Sequence, residues 1–267
     1  MISLKSLFLE EKNNKPLAIF MAGSAGAGKT SFRKEYIDTI GDFIVLNIDD
    51  IYEPLLQKSD LPLDFRKYTS PEQLSAAAKA MGSAQKMHKQ RYEKSKTDLK
   101  DIIIDGTGAS KREVAKKKQE LESLGYKTMM VLVFVTPDIS LSRNIRRGEE
   151  GGRTLMPSII LRSWSSLFDN IKDYENLFGK NLIVYKAYDE TDVEFPNFDP
   201  SNPEIKRKFF DPFKVRGKEK TPEEKAESLA KIKAMNDKIL SQIKNINQLS
   251  FDDPQTIVKK LNNFVNA

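Results

Sequence analysis

The chain contains no cysteine and a single histidine, His88. The first absence excludes a disulfide framework and every thiolate metal site. The second excludes a His-rich zinc site and leaves a Ser-His-Asp engine only one imidazole to build on. No apolar run reaches the ~20 residues that a membrane span needs. The opening segment MISLKSLFLEEKNNK has too short an apolar stretch for a secretory signal and no small-residue cleavage site. A cytoplasmic protein with no membrane partner is therefore expected. No repeat of 20–50 residues is present. What the 267 residues do carry is 39% hydrophobic and 31% charged side chains. The apolar residues fall in blocks bounded by turn residues, which argues for a packed core and against disorder. The net charge of +6 leans mildly toward an anionic partner, and a solvated surface explains it as well as nucleic-acid binding does.

Compact apolar runs alternate with helical patterns. Strands are expected at Leu17–Met21, Phe43–Ile48, Ile102–Ile104, Thr128–Val135 and Leu182–Tyr188. Helices are expected at residues 2–10, 29–39, 71–97, 110–124, 138–147 and 157–176. The helix at 71 has a Ser70-Pro71 start with Glu72 in its first turn, Gly125 ends the helix at 110–124, and Pro157 suits a first-turn position. Every strand reads as apolar on both faces, the signature of a parallel sheet covered by helices on both sides. From about Asp189 the composition changes. Residues 192–222 read as a long irregular connection and 222–247 as a polar helix, with a small last helix at 254–265. Leu229, Ile232, Ile239, Ile243 and Ile246 form a narrow stripe on the polar helix, interrupted by Asn236. That stripe packs either on its own domain or on a protein partner. The division expected is 15–190 for the α/β domain and 191–267 for an irregular linker and helical C-terminal extension.

The strongest signal is Gly23-Ser24-Ala25-Gly26-Ala27-Gly28-Lys29-Thr30, which fits G-x-x-x-x-G-K-[ST] between a buried strand and a helix. The glycines let the backbone wrap with its N–H groups inward, and the helix adds its positive end. Lys29 can reach the outer phosphates, and Ser31 continues the loop into the helix. The Thr30 hydroxyl can ligate Mg²⁺, which prefers oxygen ligands and substrate phosphates. ATP and Mg²⁺ are the expected cofactors.

Three further features narrow the chemistry. Asp49 and Asp50 follow the second strand, where ligands sit in an open α/β sheet. A carboxylate there can accept a proton from an attacking hydroxyl or hold Mg²⁺ through water. Asp105-Gly106-Thr107-Gly108 follows the third strand and can order the shell of Mg²⁺ or bind an acceptor. Arg143, Arg146 and Arg147 fall on one helix face, and Gly151-Gly152 is expected to let Arg153 swing in as part of a phosphate-covering lid.

These residues resemble zeta-toxin-type kinases and, equally, the kinase domain of phage polynucleotide 5′-kinase, over roughly residues 15–190. IIIDGTGAS is similar to the zeta-type I-E-G-T-G turn, with Asp105 in place of Glu. SRNIRRG followed by Pro157 and ILRSW is similar to the polynucleotide-kinase lid. The resemblance implies a P-loop three-layer sandwich with strand order 2-3-1-4-5. It implies that Asp49 or Asp50 activates an acceptor hydroxyl, one alignment pointing to each, with Asp49 preferred. It also implies that Arg143, Arg147 and Arg153 contact phosphates. One departure is Tyr52, which stands where polynucleotide kinases carry an arginine. The leading expectation is transfer of the γ-phosphate of ATP to a hydroxyl of a small molecule or nucleotide sugar. A nucleic-acid 5′ end is the second acceptor class: the lysines at 86–118 suit it, but the basic-aromatic alternation of a stacking groove is missing. A reading of another class is a nucleotide-switched binding protein or ATPase. No Asn-Lys-x-Asp guanine reader is present.

Overall fold

The computed structural model describes residues 15–213 and 221–266. The helix expected at 2–10 lies outside them. Five strands, β1 (Leu17–Ala22), β2 (Ile44–Leu46), β3 (Ile102–Gly106), β4 (Lys127–Phe134) and β5 (Leu182–Lys186), form one sheet in the order β2-β3-β1-β4-β5. All neighbours are parallel, with Met21 beside Asp105 and Ala22 beside both Gly106 and Leu132. The order is the one the family resemblance implies. Parallel pairing brings every strand's carboxyl end to one edge, so the glycine loop after β1 and Asp105 on β3 become neighbours.

The helices are α1 (Lys29–Phe32, widening into a looser turn over Arg33–Ile37), α2 (Asp49–Lys58), α3 (Pro71–Thr97), α4 (Lys111–Ser123), α5 (Pro137–Glu149), α6 (Pro157–Phe178), α7 (Pro222–Lys244) and α8 (Pro254–Asn266). The start of α3 is fixed by a capping box, the Ser70 hydroxyl accepting from Gln73 N–H while Gln73 returns the bond to the Ser70 backbone. Helix α2 was not expected, because Pro54 lies inside it and a proline in a helical stretch removes a ladder hydrogen bond.

Both sheet faces are dry. One packs Phe20, Ile104, Leu132 and Phe134 against Trp164, Leu167 and Tyr174 of α6. The other packs Ile19, Ile103, Val131 and Ile183 against Phe32 and Ile139. A third cluster, Ile51, Tyr52, Leu56, Tyr68, Ala77, Ala80 and Ala84, ties α2 to α3. The expectation that every strand is apolar on both faces fails at β2. This short edge strand leaves Ile44 42% exposed, because β3 is its one partner and helices do not close over its end.

The segment beyond residue 190 shares these cores. Phe198, Ile205 and Phe209 of the connection and Ile239 of α7 are buried on the α6 side, and Ile257, Leu261, Phe264 and Val265 of α8 complete the opposite side. The connection is built from short helical turns at 190–192 and 203–213 and is less irregular than its composition suggests. Along α7 the stripe divides. Leu229 and Ile232 are exposed, whereas Ile239 is buried and Gln242 donates to Ser165 O. Leu261→Ala should therefore lower the unfolding free energy of the whole chain by about 2–5 kcal/mol, the usual cost of emptying a buried leucine site. Urea denaturation followed by tryptophan fluorescence of Trp164, on the opposite face of the sheet, checks this. An unchanged midpoint would mean that α8 unfolds on its own.

Candidate active site

The loop after β1 has the conformation its glycines permit. Gly26 and Gly28 take φ of +75° and +93°, a region that side-chain-bearing residues rarely visit. A Cβ at Gly23 would lie 2.7 Å from Val133 O. The loop is braced from α5: Ser140 Oγ donates to Ala25 O and lies 3.1 Å from the buried Ser24 Oγ, whose hydroxyl it can accept from. Arg143 donates through Nη1 to Gly26 O (3.2 Å) and through Nη2 to Ala187 O (3.1 Å), tying the loop to the end of β5. The arginine read as a phosphate ligand is thus engaged with backbone carbonyls in this structure. Burial of its guanidinium lowers its pKa from the usual arginine value.

The loop forms one wall of a cavity of about 870 Å³. Ala25, Gly26, Ala27, Gly28, Lys29, Thr30 and Ser31 line that wall, Asp49, Asp105 and Thr107 the acidic side, and Arg143, Arg147 and Arg153 the basic side. Of the residues singled out in the sequence, Gly23, Ser24 and Asp50 lie outside the lining. The first two form the buried base of the loop, and Asp50 is exposed on α2. The Lys29 ammonium sits at the inner rim, donating to Gly23 O (3.0 Å), 3.8 Å from Asp105 Oδ1.

Asn47 joins the two acidic strand ends. Its Nδ2 donates to Asp105 Oδ2 (3.2 Å) and its Oδ1 accepts from Asp49 N–H (2.9 Å) at the start of α2. The other oxygen of Asp105, Oδ1, is buried with no hydrogen-bond partner. Burial raises the Asp105 pKa above the ordinary carboxylate value. The Lys29 charge opposes that shift, and the charges of Asp49 and Asp50 add to it. A buried carboxylate oxygen without a hydrogen-bond partner, lining the same cavity as Thr30, provides with the Thr30 hydroxyl an all-oxygen set that suits a hard cation such as Mg²⁺. Among the described residues no group of three or more His, Cys, Asp or Glu gathers into a protein-only cage. Mg²⁺ shared with substrate phosphates does not require one.

On the basic side, Arg153 is 5% exposed and already in place. Its Nη2 pairs with Asp49 Oδ2, and its guanidinium lies 5.6 Å from the centre of the Tyr52 ring. The expected swinging arm is thus an anchored one here. Arg147 reaches the same place, its Nη2 2.7 Å from Glu53 Oε1, which is also 3.5 Å from Arg153 Nε. Arg146 also lines the cavity, but at its outer rim, 68% exposed and 3.8 Å from Glu150 Oε1. Glu53 was missed by sequence reasoning. The available signal was its spacing, four residues after Asp49, which stacks both carboxylates on one face of a helix.

A glycine cradle after the first strand, carboxylates beyond the second and third, and arginines facing them define a P-loop nucleotide-binding protein of the kinase type. The chain belongs to the zeta toxin family, whose sequence model matches residues 4–197. It is 25% identical over 151 residues to Toxin PezT of Streptococcus pneumoniae, a match that covers 55% of this chain and 56% of that one. A solved structure from the PezAT chromosomal toxin–antitoxin system of the same organism aligns over 88% of this chain and 92% of that chain, with TM-score 0.51 and 18% identity. An AvrRxo1-ORF1:-ORF2 structure with ATP covers 98% of this chain and 82% of that one, with TM-score 0.51 and 13% identity. At these identities the two structures show a shared fold. No helix among the described residues is long and apolar enough to cross a membrane.

The raised Asp105 carboxyl gives a stability test. An acid with a raised pKa in the fold destabilises it at pH above that pKa, and the penalty vanishes below the unfolded value. Asp105→Asn, free of nucleotide and metal, should therefore melt at a higher temperature than the natural chain at neutral pH. The gap should close as pH falls toward the ordinary carboxylate range. Thermal melts at a series of pH values check both points.

Proposed function

We propose that the protein is an ATP- and Mg²⁺-dependent kinase that transfers the γ-phosphate to a hydroxyl of a small molecule or nucleotide sugar. The observation that carries this reading is that Asp49 faces the glycine loop across one cavity and is paired there with Arg153. A carboxylate there can orient an attacking alcohol and take its proton. In the proposed reaction the acceptor oxygen bonds to the γ-phosphorus as the bond to the β–γ bridging oxygen breaks. ADP leaves, and the hydroxyl proton passes to Asp49. The transition state is loose, so Asp49 acts mainly by orienting the hydroxyl. Lys29 and the loop N–H groups hold the phosphates, and Arg147 and Arg153 face the charge that spreads over the transferring group. Thr30 and Asp105 would hold Mg²⁺, which would offset the phosphate charge when bound.

Residues 86–118 carry eleven Lys and Arg against five Asp and Glu, which supports an anionic acceptor of either class, a nucleotide sugar or a nucleic-acid 5′ end. The exposed Leu229 and Ile232 of α7 support contact with a protein partner on that half of the helix.

The test is a panel of nucleosides, UDP-sugars and a 5′-hydroxyl oligonucleotide offered with γ-labelled ATP. Transfer to a nucleoside or UDP-sugar is expected. Labelling of the oligonucleotide would make the protein a polynucleotide kinase. Turnover indifferent to every acceptor would make it an ATPase or nucleotide switch. Lys29→Ala should abolish productive ATP binding in a chain that keeps its circular dichroism spectrum. Asp49→Asn should lower kcat by ~10²–10⁴-fold, the typical contribution of a general base, with ATP affinity changed far less. Asp50→Asn, outside the cavity, should do less. Steady-state kinetics of the two variants rank them.

A further inference from the structure

Between the end of α5 at Glu149 and the start of α6 at Pro157 the chain has no regular structure and contains Gly151 and Gly152. Such a stretch samples many conformations unless something fixes it. Arg153 is nevertheless buried within it, and the residues on its carboxyl side show how. The Thr154 hydroxyl donates to Asp64 Oδ1 (3.0 Å) and accepts from Phe65 N–H (2.8 Å), and Thr154 N–H donates to Leu63 O (3.2 Å). Asn144 of α5 takes the next residue from the other side, its Oδ1 accepting from Leu155 N–H (2.8 Å) and its Nδ2 donating to Leu155 O (3.0 Å). Asp64 is itself held by Arg66, whose Nη2 lies 2.8 Å from Oδ2. Asp64 is 5% exposed, Asn144 3% and Thr154 0%.

This is an expensive way to fill a buried site. A valine has the shape of Thr154 and would need no partner, and buried polar networks are often no more stable than apolar replacements. Each polar group here is satisfied, and a satisfied network admits few alternative geometries. The packing is equally restrictive. A Cβ on Gly148 would lie 2.3 Å from Thr154 Cγ2 and 2.7 Å from Arg66 Nη2. The last turn of α5, the 61–68 loop and the arm therefore form one block, and Arg153 is the residue the block presents to Asp49.

We propose that Thr154, gripped by Asp64 and backed by Asn144, is a positioning residue that fixes the Arg153 guanidinium beside Asp49 for phosphoryl transfer. The inference rests on the kinase reading, and it makes the arm a pre-set part of the site that moves, if at all, together with the 61–68 loop.

The experiment compares Thr154→Val, Thr154→Ser, Arg153→Ala and the double variant R153A/T154V. It uses γ-labelled ATP and the same acceptor panel, with melting temperatures recorded for each. Thr154→Val should lower kcat at least ~10-fold while KM for ATP stays within about twofold, because an arginine on the transferring group acts on the transition state. Thr154→Ser, which keeps the hydroxyl, should restore turnover. In the double variant the valine should add nothing to the loss caused by Arg153→Ala, since residues acting through one contact do not add. Turnover of Thr154→Val equal to that of the natural chain would overturn the proposal. So would full additivity with Arg153→Ala. Should Thr154→Val fail to fold, Asp64→Asn removes the charge from the same grip and is read by the same cycle. A natural chain that labels no acceptor overturns the kinase reading itself, whereas an active natural chain with an active Thr154→Val overturns only the positioning role.

Discussion

Parallel strand pairing is the constraint on which the rest depends. Because all five strands run the same way, their carboxyl ends share one edge, and whatever follows each strand is delivered there. The β1–β3 register sets Met21 beside Asp105, one residue short of the point where the glycine loop departs. The edge strand β2 then brings Asn47 and Asp49 to the same edge. The helices of both faces, including α8 from the far end of the chain, keep the sheet dry enough for that register to hold. The site is thus a consequence of direction and register before it is a matter of side chains.

Charge organises what the sheet delivers. Lys29, Arg147 and Arg153 crowd toward one cavity and would repel one another in a poorly solvated space. Asp105, Glu53 and Asp49 are interleaved with them, each within ion-pair distance of at least one cation. The result is a site whose charges are nearly balanced among the protein's own groups. A polyphosphate with its cation enters such a site by exchanging partners, which keeps the exchange close to neutral and favours ligands that bring both signs of charge.

Much of this was legible in the sequence, for identifiable reasons. The loop at 23–30 announces itself because few residues other than glycine tolerate its backbone. The start of α3 at Pro71 was readable because Ser70 and Gln73 form a reciprocal cap. The expected strands differ from those observed by a few residues at their ends. Helix α2 was hidden by Pro54, a local signal that tertiary packing of Ile51, Tyr52 and Leu56 overrides. Glu53, Asp64 and Thr154 were not legible as site residues, since acids and a threonine outside a motif look like solvated surface until the fold brings 53 to 147 and 64 to 154. The connection after residue 190 was misjudged for the opposite reason. Its Pro, Asp and Asn content masks Phe198, Ile205 and Phe209, which it inserts into the protein's interior.

Asn47 has a consequence of its own. One side-chain amide spans the ends of two strands, its nitrogen on Asp105 and its oxygen on the first N–H of α2. The spacing of the two acids is therefore set by a single rigid plane instead of by two independent loops. A ligand that draws Asp105 away from this amide also loosens the backbone that aims Asp49. In the proposed reaction the nucleotide side and the acceptor side of the cavity would then share a mechanical joint. Linkage requires that two ligands coupled in this way alter each other's affinity by the same factor, so order of addition changes the path to the filled site but not its free energy.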